Sequence, residues 1–149
     1  MRNAFMMGLV GGQRAMTPLA AVAIAAARGE LPADNGAPRL LSRPIVAAGA
    51  LVLAVAEMAG DKQRSAPDRI VFAGLAARLV TNAIAGAALV PRHRRWHGAI
   101  IGGLTAVVAS YPGWRARMAV IPRYGQTSTG FVEDAAVIAA AATIARQPS

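Results

Sequence analysis

The stretch Ala54-Val-Ala-Glu-Met-Ala-Gly-Asp-Lys-Gln-Arg-Ser-Ala-Pro-Asp-Arg69 decides how this chain is read. An apolar run leads into Glu57 and, one helical turn later, into Asp61 and Lys62. Carboxylates at i and i+4 share a helix face, so the segment brings two negative charges to one place at the end of an otherwise greasy rod. Such charges need partners. Arg14 and Arg78 stand inside other apolar segments, and a second acidic pair, Glu133-Asp134, opens the last one. The expectation is an all-α transmembrane bundle of about five segments, within which charges of opposite sign meet.

Composition supports this reading and sets its limits. The 149 residues fit one helical domain spanning 1–149, too short for two independent cores. Charged residues make up 15% of the chain, against about 25% in an ordinary soluble domain, a deficit that points to lipid. The chain also holds 36 alanines, nearly neutral on transfer scales, and its mean hydropathy of +0.41 is modest for a multi-span protein. An Ala-rich soluble bundle is therefore the competing architecture. The net charge of +9 would suggest nucleic acid in a polar protein, but here the arginines flank apolar runs and base-stacking aromatics are scarce. No nucleic-acid partner is expected. Without cysteine there is neither a disulfide framework nor a thiolate metal site, and the redox compartment is undetermined.

In the first segment, Ala4 to Ala27, Arg14 and Gly11-Gly12-Gln13 interrupt what would otherwise imitate an export signal, so a retained segment is expected. Pro18, preceded by Thr17, has no amide hydrogen for the carbonyl of Arg14 and predicts a kink or break. The loop from Arg28 to Arg43 carries Pro32, Pro38 and both charge signs and should be exposed. The second segment, Pro44 to Gly60, has a short uncharged run and crosses a bilayer only if Glu57, alone or with Asp61, enters the low-dielectric zone or the bilayer thins around it.

The third segment, Ile70 to Val90, has an i, i+4 row of Gly74, Arg78, Asn82 and Gly86, which predicts close approach of another helix with Arg78 and Asn82 pointing at it. In the fourth, Gly98 to Tyr111, the row Gly98, Gly102, Ala106 and Ser110 predicts a tight helix contact, either internal or at a homo-oligomer seam. Pro112-Gly113 should end it, with Arg115, Arg117 and Arg123 following as an interfacial stretch. The last segment, Phe131 to Ala145, has Glu133 and Asp134 in its first turn, where they complement the helix dipole or partner an arginine.

His93 and His97 have the spacing of a helical metal pair, but Arg94 and Arg95 lie between them and no Glu follows the first His, so no metal or cofactor is expected. If every segment crosses, the cations flanking the spans divide evenly between the two sides, and the positive-inside rule gives no orientation. A re-entrant segment, insertion in both directions or internal symmetry would explain this, and a faint repeat favours the last: Arg14-x-x-Thr17-Pro18 matches Arg78-x-x-Thr81-Asn82.

The order of motifs resembles a family of small bacterial integral-membrane proteins known as domain of unknown function 4126. The resemblance runs through Gly12-Gln-Arg-Ala-Met-Thr-Pro-Leu19, Glu57-x-x-x-Asp61-Lys62 with Pro67-x-Arg69, Arg78 with Gly86, the Gly-rich fourth segment and Glu133-Asp134. Gln63-Arg64 stands where that family has an apolar residue and a proline. The resemblance implies a multi-pass protein of the bacterial inner membrane, with no assigned substrate.

Two functions compete. In one, Glu57, Asp61, Glu133 and Asp134 face Arg14 and Arg78 around a polar cavity that passes an ion or small polar solute. In the other, the ion pairs only fix helix packing or recruit a partner. A Walker-type loop, a Gly-x-Ser-x-Gly elbow and a zinc signature are absent, so no enzymatic activity is expected.

Overall fold

The computed structural model describes residues 1–60 and 71–147, and within them the protein is helical. Six α-helices follow one another: α1 (Arg2–Gly11), α2 (Met16–Ala27), α3 (Pro44–Gly60), α4 (Phe72–Ala88), α5 (Arg95–Tyr124) and α6 (Gln126–Ala145). Short 3₁₀ turns at Arg39–Ser42 and Arg92–Arg94 precede α3 and α5. Asp61 and Lys62 of the opening stretch lie outside the described residues.

The break in the first segment falls just before Pro18, between Gly11 and Met16. Pro18 becomes the third residue of α2, where a helix amide has no internal acceptor and a missing N–H costs nothing. The matching motif in α4 does not break, because Asn82 keeps the N–H that Pro18 lacks. At the far end of α2, Gly29 turns left-handed at φ 68°, and the Gly29 and Glu30 amides donate back to Ala26 and Ala25. This Schellman turn stops the helix.

Two boundaries differ from the sequence expectation. Pro112 does not end the fourth segment, since α5 runs through it for 30 residues with the proline on an exposed face. One missing backbone hydrogen bond on the outside of a long helix is tolerated when neighbouring turns are packed. The last helix also starts earlier than expected. Gly125, at φ 81°, makes the turn into α6, and the Thr129 hydroxyl donates to the Gly125 carbonyl. Glu133 and Asp134 consequently sit well inside α6, so the helix dipole does not account for them.

The centre of the bundle is built from small side chains. Ala20, Ala23, Ala47, Ala50, Ala54, Ala85, Ala88 and Ala141 are buried with Met7, Val22 and Leu89. A Cβ on Gly86 would strike the carbonyl of Gly98, and one on Gly102 would strike that of Asn82, so α4 and α5 touch backbone to backbone. α1 approaches the same helix through Gly8 and Gly12, which face Thr105 and Ala109. The small-residue row of Gly98, Gly102 and Ala106 therefore serves internal packing, and Gly74 of α4 is half-buried. Abundant alanine and glycine is the compositional form of this close approach.

The large apolar side chains point the other way. Val52, Phe72 and Val108 are 66%, 87% and 69% exposed, and Ile45, Val80, Phe131 and Val132 are also on the outside. α3 buries only Ala47, Ala50 and Ala54, leaving the rest of an apolar helix uncovered. By length and composition, α6 is the one helix among the described residues that could cross a membrane, and α2, α3 and α4 are apolar but shorter.

Candidate functional site

Several buried polar groups among the described residues converge on the gap between α1 and α2. A helix start leaves amides without internal acceptors, and here the carboxylate of Glu57 on α3 supplies them. Its two oxygens accept hydrogen bonds from the backbone N–H groups of Ala15 and Met16, both at 2.8 Å. A negative charge against the positive end of a helix is favourable, so α3 caps α2 across space. The Thr81 hydroxyl of α4, also close to the Ala77 carbonyl, lies 2.8 Å from the Ala15 carbonyl and donates there. The two matching Arg-x-x-Thr motifs thus meet at the break.

The Arg14 side chain runs from the same gap to α6, where its Nη2 lies 2.6 Å and its Nε 2.9 Å from Oδ1 of Asp134. Arg14 is 1% exposed, so this pair is held away from solvent. Glu133, the neighbouring acid, takes a different partner. Its Oε2 is 2.7 Å from Nη1 of Arg117, which is also buried.

Arg78 and Asn82 are buried on α4. The Asn82 amide nitrogen donates to the Arg78 carbonyl at 3.0 Å, and the rest of its side chain fills the space above Gly11, where any Cβ would collide with it. Thr17 and Pro18 are buried in the first turn of α2. The structure therefore brings Arg14, Glu57, Asn82 and Asp134 to the break, with Thr17 and Pro18 forming its wall. Glu57 engages backbone amides there rather than an arginine.

Two participants were not recognised in the sequence, Arg117 and Thr81. Arg117 follows Pro112-Gly113, which in sequence reads as a helix end, but α5 continues through the proline and buries Arg117. Its signal lay in spacing, since Gly103, Ser110 and Arg117 recur every seven residues and continue the inward row of α5. Thr81 was visible only as half of the faint repeat.

α5 and α6 leave the Gly125 turn and flank an open cavity of about 640 Å³. Its exposed lining is almost wholly apolar, with Val120, Val132 and Val137 on its walls, and Gln13 from the break, the Arg117–Glu133 pair, Tyr124, Ser128 and Thr129 lie along it while presenting little polar surface. Gln13 reaches it by lying against Gly113, where a Cβ would leave no room. The arrangement offers neutralised charge pairs, a helix discontinuity and an adjoining space. Among the described residues, no three His, Cys, Asp or Glu side chains gather as a metal site would require. Comparison with family models, curated proteins and solved structures gave no match to this chain.

Proposed function

We propose that the chain is a multi-pass protein of the bacterial inner membrane that passes an ion or small polar solute along the broken first segment. The observation carrying this is the inverted distribution of side chains: Arg14, Arg78, Asn82, Arg117 and Asp134 inside, Val52, Phe72, Val108 and Val132 outside. In water such an arrangement wastes apolar surface and buries charge. In a bilayer both features are favourable, because a charged side chain facing lipid costs about 2.5–3.5 kcal/mol on insertion scales and escapes that cost by pairing inside. The motif resemblance to domain of unknown function 4126 agrees with this residence.

A discontinuous helix whose free amides meet a carboxylate, beside a cavity carrying a second ion pair, is an arrangement that suits permeation. The reading assigns Arg14–Asp134 and Glu57 to the barrier and Arg117–Glu133 to the cavity wall. No nucleophile or general acid–base pair has a role in it.

The packing reading keeps one specific observation in its favour, the depth and short distances of the Arg14–Asp134 pair, which suit a fixed strut. A charge exchange separates the two. In proteoliposomes given osmotic gradients of potassium chloride or glycerol, permeation predicts flux in the native protein and its loss when Arg14→Asp and Asp134→Arg are combined, with the fold retained. No flux of either solute above empty liposomes, or unchanged flux in the exchanged protein, overturns the reading.

A further inference from the structure

A second cavity, of about 450 Å³, opens at the α4–α5 turn, remote in composition from the break. Its rim carries Arg39, Arg92, Arg95 and Trp96, while Ala83, Ala87 and other small residues of α4 and α5 form an apolar floor. No acidic residue lines it. The ion pairs among the described residues do not include Arg39, Arg92 or Arg95.

The arrangement is built rather than incidental. Arg39 comes from the loop after α2, far in sequence from the other two, and backbone bonds hold that loop in place. Gly36 N–H donates to the Val90 carbonyl at 2.8 Å and Arg92 N–H to the Asp34 carbonyl at 2.6 Å, forming an isolated bridge between Asn35 and Pro91. Gly36 packs so closely on α4 and α5 that a Cβ would collide with the Ala87 carbonyl. The Arg95 guanidinium sits 5.1 Å from the Trp96 ring centroid, which fixes its direction. A specific loop contact thus gathers three exposed arginines around one cavity, an arrangement to which an anion is complementary.

We infer that this cavity binds one anionic phospholipid, its phosphate held by Arg39, Arg92 and Arg95 and an acyl chain lying on the alanine floor. Charge complementarity names the head, the apolar floor names the tail, and an indole beside them is the side chain that prefers the headgroup level. The proposal rests on the membrane reading above, and it gives the α4–α5 turn a defined depth at one surface.

The test uses the full chain with Trp114→Phe, so that Trp96 is the sole indole, in neutral mixed micelles. Brominated phosphatidylglycerol should quench Trp96 at about tenfold lower mole fraction than brominated phosphatidylcholine. Adding Arg39→Gln and Arg92→Gln, with Arg95 kept beside the reporter, should abolish that preference. Equal quenching by both lipids overturns the proposal, as does a preference that survives the two substitutions. Displacement of the lipid by millimolar inorganic phosphate overturns it in favour of a free-anion site. Release of the protein from native membranes by alkaline carbonate would instead sink the membrane reading, which this micelle experiment does not probe.

Discussion

At the scale of single residues, the account turns on which charges hold which partners. Removing one member of a buried pair weakens the compensation of the other, so Asp134→Asn should lower stability by up to about 3–5 kcal/mol, read as a fall in thermal midpoint in detergent. Replacing both, as Arg14→Met with Asp134→Leu, should recover most of that loss, because the cost lies in the orphaned charge rather than in the missing pair. Glu57→Gln keeps one acceptor for two amides and should cost about 1–2 kcal/mol, while Glu57→Ala should cost more. Sequence reading found Arg14, Glu57, Arg78 and Asp134 because charge inside apolar runs is conspicuous. It could not assign partners, since pairing is set by helix rotation, and Glu57 met backbone amides that leave no trace in composition.

Among elements, α5 is the helix to which α1 and α4 are fitted, and its small face explains glycines on both. Gly86→Ala and Gly98→Ala should each destabilise by about 1–3 kcal/mol, since the new methyl meets a facing backbone carbonyl at both positions and the Val90 side chain at Gly98. Gly49→Ala on α3 meets nothing within 4 Å and should be neutral or raise stability by about 0.5–1 kcal/mol through helix propensity. A paired chemical-denaturation series in detergent checks the contrast. These rows were legible because a four-residue repeat of small side chains has one ready use. The length of α5 was not, since Pro112 reads locally as a stop and only the packing of its neighbours carries the helix through. The start of α6 is equally hidden, because the polar residues before Phe131 do not look like part of an apolar helix, while the turn is made earlier, at Gly125.

For the molecule as a whole, the decisive property of the described residues is that large apolar side chains face outward while a few charged groups are buried among alanines. Alanine hid this in the mean hydropathy, because the residues that face outward are valines, leucines and phenylalanines while the alanines fill the middle. The solvent that such a surface requires can be measured directly, since the native chain has no cysteine to interfere. Single cysteines at Val52, Val80 and Val108, on the outer faces of α3, α4 and α5, should resist a water-soluble, membrane-impermeant thiol reagent in native vesicles, while Ser128→Cys at the cavity should react. Rapid labelling at all three outer positions in intact vesicles would contradict the account, because those faces would then be bathed in water.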